Sequence, residues 1–193
     1  TANQVYNDGG ALYGSMSAFV RVVSSLIADN YAQRHGGAVA VFQTANFLSV
    51  TLFNNEAALM GGGIYALGGY LTCMEMLLMY NQANLGGGAY IDLNTYAAFN
   101  ATTFANNTAL AGGGGIYWSN VAPVLQSDIV FADNHAMLGA DQTSVPEKLA
   151  LAVDPMLVGP PPTCVGPALT STGQYHVPSG CGLQIHVWRV DHM

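Results

Sequence analysis

The sequence predicts an all-β protein: a parallel β-helix, or solenoid, of about six coils followed by a Pro/Gly-rich irregular C-terminal tail. Three repeated features predict this fold. An Asn that is followed two residues later by a small apolar residue recurs six times, at intervals of 27, 25, 26, 26 and 27 residues. A glycine block starts within six residues of most of these Asn positions, and from the second unit on a large apolar residue precedes each Asn by three positions. Six copies in one phase indicate a stacked repeat architecture.

Composition decides which repeat architecture this is, because helical hairpins, leucine-rich repeats and β-solenoids can all have a period near 26. Glycine triplets and repeated Asn disfavour helix interiors, whereas the segments between them contain Val, Ile, Phe, Tyr and Thr in short runs. The leucine-rich pattern cannot be placed in register from unit to unit. A parallel β-solenoid remains, in which we expect about three short strands per coil.

The repeated Asn predicts a ladder along the solenoid. Successive coils stack about 4.8 Å apart, so equivalent residues lie above one another. Stacked Asn side chains then bond to the turn backbone of their own coil and of the next one. The predicted ladder residues are Asn3, Asn30, Asn55, Asn81, Asn107 and Asn134.

The glycine blocks predict corners where the chain needs positive φ or close backbone approach, which glycine alone tolerates at low cost. Tyr13, Tyr65, Tyr90 and Tyr117 end their glycine blocks at one place and predict a partial aromatic stack, broken in the second unit by Ala40. The predicted corner residues are Gly9, Gly10, Gly36, Gly37, Gly62, Gly63, Gly87, Gly88, Gly114 and Gly115.

Two short motifs alternate along residues 1–141 and carry a family resemblance. Phe104-Ala-Asn-Asn107 and Phe131-Ala-Asp-Asn134 match Phe-x-x-Asn, and the blocks that begin at Gly9 and Gly36 match Gly-Gly-Ala followed by an aliphatic residue. This pairing resembles the repeats of the chlamydial polymorphic outer membrane protein family, which also occur in surface proteins of algae and other protists. The resemblance implies a right-handed parallel β-helix displayed at the cell surface as an adhesin-like passenger. Leu or Ile replaces the Phe in three units, and no membrane-anchoring β-barrel is recognisable in the sequence.

The pattern divides the chain into parallel β-helix repeats over 1–141 and a C-terminal cap or arm over 142–193. Cys164 and Cys181 lie in this Pro/Gly-rich tail, where a disulfide would help to order the chain, and the predicted bridge implies an oxidising compartment. Cys73 lies in an apolar run and is expected to be a buried thiol. Because the chain opens in mid-coil at Asn3, we also expect preceding residues or another subunit to cover that end.

Charge excludes several function classes. Charged residues make up 8% of the chain, against about 25% in an average soluble domain. The four Lys and Arg residues are scattered, so no basic stripe exists for nucleic acid. The sequence contains no apolar run of 18 residues, so it predicts no transmembrane helix. With so few charges, many outward positions must be apolar, and we expect neighbours, glycans or further chain to cover them.

Candidate chemistry is sparse. Glu75, Asp92 and Asp128 fall in different coils or at different offsets, which favours separate solvated carboxylates over a catalytic pair. The five histidines show no metal-ligand spacing, His35 and His135 are expected to be solvated in turns, and no metal or cofactor is predicted. The sequons at Asn100 and Asn106 are possible glycosylation sites.

Two functions from different classes remain open. The first is a non-enzymatic extracellular structural or adhesive protein, a building block of a cell-surface layer, appendage or filament that self-associates. Its predicted partners are copies of itself or other surface proteins, with possible glycans. The alternative is a carbohydrate-binding or carbohydrate-cleaving β-helix, for which Trp118, Tyr117 and Asp92 form the one suggestive patch.

Overall fold

The structure is a computed structural model that describes residues 3–144 and, beyond them, the backbone of four short strands. Residues 3–144 contain no helix. Their 22 strands, β1 to β22, form four parallel sheets, A to D, and each strand pairs with its equivalents one turn before and after it. The prediction of an all-β parallel solenoid is confirmed.

The first two sheets contain six strands each. Sheet A contains β1 (Gln4–Val5), β5 (Tyr31–Ala32), β9 (Glu56–Ala57), β13 (Gln82–Leu85), β17 (Thr108–Gly112) and β21 (His135–Leu138). Sheet B contains β2 (Leu12–Gly14), β6 (Val39–Val41), β10 (Ile64–Leu67), β14 (Ala89–Asp92), β18 (Ile116–Trp118) and β22 (Gln142–Ser144). The sheet A ladder shifts register after Ala83 and after Ala109, where the backbone bulges.

The other two sheets contain five strands each. Sheet C contains β3 (Phe19–Val23), β7 (Thr44–Leu48), β11 (Tyr70–Met74), β15 (Tyr96–Asn100) and β19 (Val124–Leu125). Sheet D contains β4 (Leu26–Ala28), β8 (Thr51–Phe53), β12 (Leu77–Met79), β16 (Thr103–Ala105) and β20 (Val130–Ala132). Together the sheets make five complete turns and a sixth that the described residues carry only through β21 and β22.

The predicted count of about six coils agrees with these five complete turns and the start of a sixth. Each repeated Asn marks the start of a turn that needs about 26 more residues, and the sixth turn starts only at Asn134. The expectation of three strands per coil was wrong, since each complete turn has four. Only two residues separate sheet C from sheet D in the first four turns, and neither glycine nor proline marks that break.

Short corners, of two residues in every case except the four between β19 and β20, separate sheet C from D and sheet D from A. One residue at each corner has positive φ although it is not glycine, a conformation that L side chains adopt at a cost of about 1–2 kcal/mol. Between C and D these residues are Ser24, Ser49, Glu75, Ala101 and Asp128. Between D and A they are Asp29, Asn54, Tyr80, Asn106 and Asp133. Most are polar, and short polar side chains tolerate this conformation best.

The main core fills the inside of the coils with columns of large apolar side chains. The residues that precede the repeated Asn by three positions point inward, and Leu52, Leu78 and Phe104 are fully buried there. Phe104 stacks on Phe131 of the next turn with ring centroids 5.2 Å apart and contacts Phe99 edge-on. Since each turn leaves its apolar residues half-covered, only the stack buries them completely.

The chain divides into two compact units, Thr1–Val145 and Pro146–Met193. In the second unit β23 (Leu149–Ala152) pairs antiparallel with β26 (His186–Arg189), and β24 (Ala168–Leu169) pairs antiparallel with β25 (Tyr175–His176). The role of this tail as a cap or an arm stays a prediction. Cys164 and Cys181 lie outside the described residues, so their predicted disulfide does too.

Candidate functional site: stacked columns and an apolar outer face

The six repeated Asn residues form one continuous ladder of side-chain hydrogen bonds. Each Asn donates its Nδ2 to the Oδ1 of the next Asn along the axis, over 2.9 to 3.1 Å. The same Oδ1 accepts the backbone N–H of the preceding Asn. In the interior the Nδ2 also donates to the carbonyl of the large apolar residue one turn earlier, as Asn81 does to Leu52 at 3.0 Å.

Burial makes the ladder energetically important. Asn30, Asn55, Asn81, Asn107 and Asn134 are all buried. A buried amide without partners costs about 1–3 kcal/mol for each group left unpaired, and here each interior Asn satisfies its own groups and those of both neighbouring turns. The structure therefore places the six predicted residues in one column whose members depend on each other.

The C-terminal end of the ladder has a different acceptor. Asn134 donates its Nδ2 to Asp141 Oδ1 at 3.1 Å and to the Phe104 carbonyl at 2.9 Å. Asp141 occupies the third position of the degenerate sixth glycine block, where earlier units have Gly or Ala. Its carboxylate thus takes the acceptor role that an Asn side chain has in every earlier turn.

The glycine blocks serve two separate purposes. Positive φ occurs at the first residue of every block: Gly9, Gly36, Gly61, Gly86, Gly113 and Gly139. In the three glycine triplets this first glycine was not among the predicted corner residues. The second residue, from Gly10 through Gly37, Gly62, Gly87 and Gly114, has no room for a Cβ, which would overlap a carbonyl oxygen of the next turn. The third glycines, Gly63, Gly88 and Gly115, meet carbonyl oxygens in the same way.

An aromatic column lies outside the main core, on sheet B. Tyr65, Tyr90 and Tyr117 stack with ring centroids 5.7 and 5.2 Å apart. Where Ala40 interrupts the column, Phe42 lies between Tyr13 and Tyr65, with centroids 5.3 and 5.8 Å away. The predicted partial stack is therefore a second, smaller core, covered by neighbouring apolar side chains.

His35 contradicts the expectation of a solvated turn residue. Its ring stacks on Tyr65 with centroids 4.6 Å apart, and its side chain is 13% exposed. His35 Nδ1 lies 3.0 Å from Asp8 Oδ1. Ala40, the register partner of Tyr65 in the preceding turn, has no ring to stack on it, and the His35 imidazole packs against Tyr65 instead. His135 is exposed, as expected.

Asp92 joins the aromatic column to a polar network. Its carboxylate accepts hydrogen bonds from Tyr65 Oη at 2.7 Å, Ser119 Oγ at 2.9 Å and the Leu93 backbone N–H at 2.8 Å. Burial and the Asp92 carboxylate raise the pKa of Tyr65 well above its usual value. Burial chiefly, with Asp92, raises the pKa of Tyr90 to about 12. These contacts keep the phenols neutral and occupy both oxygens of Asp92.

An apolar outer face covers the outside of sheet D. It consists of the two residues that flank the inward-pointing centre of each strand, and none of the ten is charged or carries an amide. The ten residues are Leu26, Ala28, Thr51, Phe53, Leu77, Met79, Thr103, Ala105, Val130 and Ala132. Leu26, Phe53 and Val130 are exposed, Ala105 is buried, and the other six are half-buried. The low charge of the sequence predicted apolar flanks in general but did not identify this sheet. The available signal was the absence of charged residues at the positions two and four before each Asn from Asn30 on.

The two corner columns give the apolar outer face a polar rim. Glu75 and Asp128 lie on the side of sheet C, and Asp29 and Asp133 lie on the side of sheet A. Two hydrogen bonds run along the rim: Ser49 Oγ donates to Glu75 Oε2 at 2.6 Å, and Asn54 Nδ2 donates to Asp29 Oδ1 at 2.8 Å. An apolar centre with a polar border is the usual anatomy of a protein interface.

The remaining candidate residues are dispersed. Asn100 ends β15, partly exposed, and Asn106 is a partly exposed corner residue. Cys73 is a free thiol buried in the core, and burial raises its pKa. The described residues contain no cluster of three or more potential metal ligands. No helix in that part of the chain is long and apolar enough to span a bilayer.

The Chlamydia polymorphic membrane protein repeat matches residues 101–117. This segment contains β16, β17 and the start of β18, so it includes Phe104, Asn107 and the glycine block at Gly113. The chain thus carries a repeat of the type that its motifs indicated, and a β-solenoid with such a repeat fits a surface or outer membrane protein. No curated protein and no solved structure matches the chain.

Removing one interior ladder residue should destabilise the whole solenoid. Asn81→Ala removes the oxygen that accepts from the Asn55 backbone N–H and Nδ2, and the amide that donates to Asn107 Oδ1 and to the Leu52 carbonyl. We expect a loss of about 3–5 kcal/mol in the free energy of unfolding, measured by urea denaturation. The control Asn46→Ala, on the outer face of β7, should change it by less than about 0.5 kcal/mol. Equal effects of the two substitutions would contradict the role of the ladder.

The raised pKa of Tyr90 predicts a stability loss at alkaline pH. Tyrosine in the unfolded chain has a pKa of about 10, and Tyr90 in the folded protein has one of about 12. Its contribution is therefore fully present below pH 10 and is lost as the pH rises to about 12, because only the unfolded chain releases the proton there. The free energy of unfolding, measured by urea denaturation, should fall less steeply between pH 10 and 12 for Tyr90→Phe than for wild type. The control Asn46→Ala, which removes no titratable group, should keep the wild-type slope. Parallel profiles for Tyr90→Phe and wild type would show that this phenol is not protected.

Proposed function

We propose that this chain is a non-enzymatic extracellular structural or adhesive protein, a β-helix building block of a cell-surface layer, appendage or filament that self-associates. The observation that carries the proposal is the apolar outer face, ten residues over five turns without one charged or amide side chain. Leu26, Phe53 and Val130 are exposed on this face, and neighbouring exposed apolar side chains are a feature of interaction surfaces.

The size of the face decides what kind of association to expect. Five strands about 4.8 Å apart and three residues of about 3.3 Å each give a planar area of about 240 Å². A stable pairwise interface buries about 800 Å² on each partner. One contact between two such faces is therefore weak, and a layer or filament gains its strength from many contacts made together.

The carboxylates support a structural role over the carbohydrate alternative. Both oxygens of Asp92 are occupied by Tyr65, Ser119 and the Leu93 N–H, and Glu75 accepts a hydrogen bond from Ser49. A carbohydrate-cleaving site needs two carboxylates that face the same bond with free oxygens. Trp118 is partly exposed beside this network, so a glycan-binding role is the competing outcome of the test below.

The match at residues 101–117 supports a surface location. Glycans on Asn100 or Asn106 and a Cys164–Cys181 disulfide belong to the same proposal, since both modifications need an oxidising secretory route or an extracellular site. Asn106 lies on the rim of the apolar outer face, where a glycan would limit the approach of a neighbour.

A charge placed in the centre of the face tests the proposal. In sedimentation velocity experiments we expect the sedimentation coefficient of the wild-type protein to increase with protein concentration. Leu77→Lys should abolish this increase, because assembly would have to desolvate the new ammonium group. The matched control Gln82→Lys adds the same charge to the same turn, at an exposed position of sheet A, and should assemble like wild type. Circular dichroism should show both variants folded.

Salt separates self-association from binding to another partner. Because the rim carries four acids, two faces of this chain repel each other at their borders, and higher ionic strength should strengthen assembly. A basic partner would give the opposite dependence. A wild-type protein that stays monomeric at all salt concentrations, or that hydrolyses members of a glycan panel, would overturn the proposal.

A further inference from the structure

The geometry points to Tyr70 and Tyr96 as an oxidative cross-linking site, at which a one-electron oxidant of the peroxidase class joins the two phenols into dityrosine. The two residues are register partners at the start of β11 and β15 in sheet C. Their ring centroids are 5.9 Å apart, with an interplanar angle of 56°. The product would tie the third turn of the solenoid covalently to the fourth.

Exposure distinguishes this pair from the other neighbouring tyrosines. Tyr70 is 63% exposed and Tyr96 is 48% exposed. Both lie on the outer side of sheet C, where an oxidant can reach them and where the rings can rotate about χ1 and χ2. That rotation brings the carbon atoms ortho to the hydroxyls together, which the tilted arrangement of the resting rings only approaches.

The reaction balances with hydrogen peroxide as the terminal oxidant. Each phenol loses one electron and one proton to become a phenoxyl radical, so the pair supplies two electrons and two protons. Together these reduce one peroxide to two waters through the peroxidase. The radicals couple at their ortho carbons, and the two ring hydrogens at the new C–C bond move to the oxygens, which restores both phenols. The cross-linked protein has lost two hydrogen atoms.

The buried aromatic column provides an internal comparison. Tyr65, Tyr90 and Tyr117 have closer centroids, at 5.7 and 5.2 Å, but each is less than a tenth exposed. Their rings are held stacked, and the Tyr65 hydroxyl donates a hydrogen bond to Asp92. If proximity alone decided coupling, these pairs would react first. Accessibility and freedom to rotate predict that Tyr70 and Tyr96 react instead.

A link between these residues would close one complete turn, since residues 70 and 96 differ by one repeat. Closing such a loop restricts the unfolded chain and stabilises the folded state in the chain-entropy account of cross-links. It requires no second molecule, so the inference stands independently of the proposed self-association.

The test treats dilute protein with a peroxidase and hydrogen peroxide, then measures dityrosine fluorescence and maps the peptides by mass spectrometry. We expect a monomeric product that lacks two hydrogen atoms, contains a Tyr70–Tyr96 link and has a melting temperature several degrees higher. Tyr70→Phe and Tyr96→Phe should each remove most of the intramolecular fluorescence. The matched control Tyr80→Phe should retain it, because Tyr80 is also 48% exposed but contacts Phe53 instead of a tyrosine.

Three outcomes would overturn the inference. The first is fluorescence in Tyr70→Phe equal to wild type, and the second is a link mapped to the buried column. The third is dityrosine found only in covalent dimers, which would assign the exposed tyrosines to contacts between molecules. None of these outcomes depends on whether Leu77→Lys disrupts assembly, so failure of this site and failure of the proposed function remain distinguishable.

Discussion

The buried asparagine ladder fixes the axial register on which every other column of this solenoid depends. A parallel stack of short strands has little intrinsic preference for one register, since a strand of three residues makes few hydrogen bonds and its side chains alternate with period two. The ladder removes that freedom. Each interior Asn bonds to the turn before it through Oδ1 and Nδ2 and to the turn after it through Nδ2 and its backbone N–H, so a shifted turn would leave several buried groups unpaired.

Once the register is fixed, equivalent residues of successive turns stack on one another, and the outer surface shows the same repeat as the core. The large apolar residue before each Asn always points inward, so its two neighbours always point outward. Five turns then align their small and apolar residues into one outer face, while the corners that need positive φ collect polar residues at its borders. The same rule places Tyr70 directly beside Tyr96 on sheet C. Surface and core therefore follow from one constraint.

Much of this could be predicted from the sequence, because the period, the Asn and the glycine blocks each have a distinct physical cause. The features that could not be predicted lack a local signal. Glu75 and Ala101 adopt positive φ because the stack demands a corner there, and neither residue type indicates one. His35 stacks on Tyr65 of the following turn, which is a matter of packing between turns and not of sequence pattern. The apolar outer face of sheet D could not be predicted either, because locating it requires the strand boundaries that those corners define.

Native-state hydrogen exchange tests the central claim about the ladder most directly. The backbone N–H groups of Asn30, Asn55, Asn81 and Asn107 donate to the next Oδ1 in the buried column. If the ladder holds the register, these four amides exchange only through global unfolding, with one shared free energy equal to that from urea denaturation. Exchange of the ladder amides through local opening, at free energies well below the global value while the strands of sheets C and D stay protected, would contradict the account.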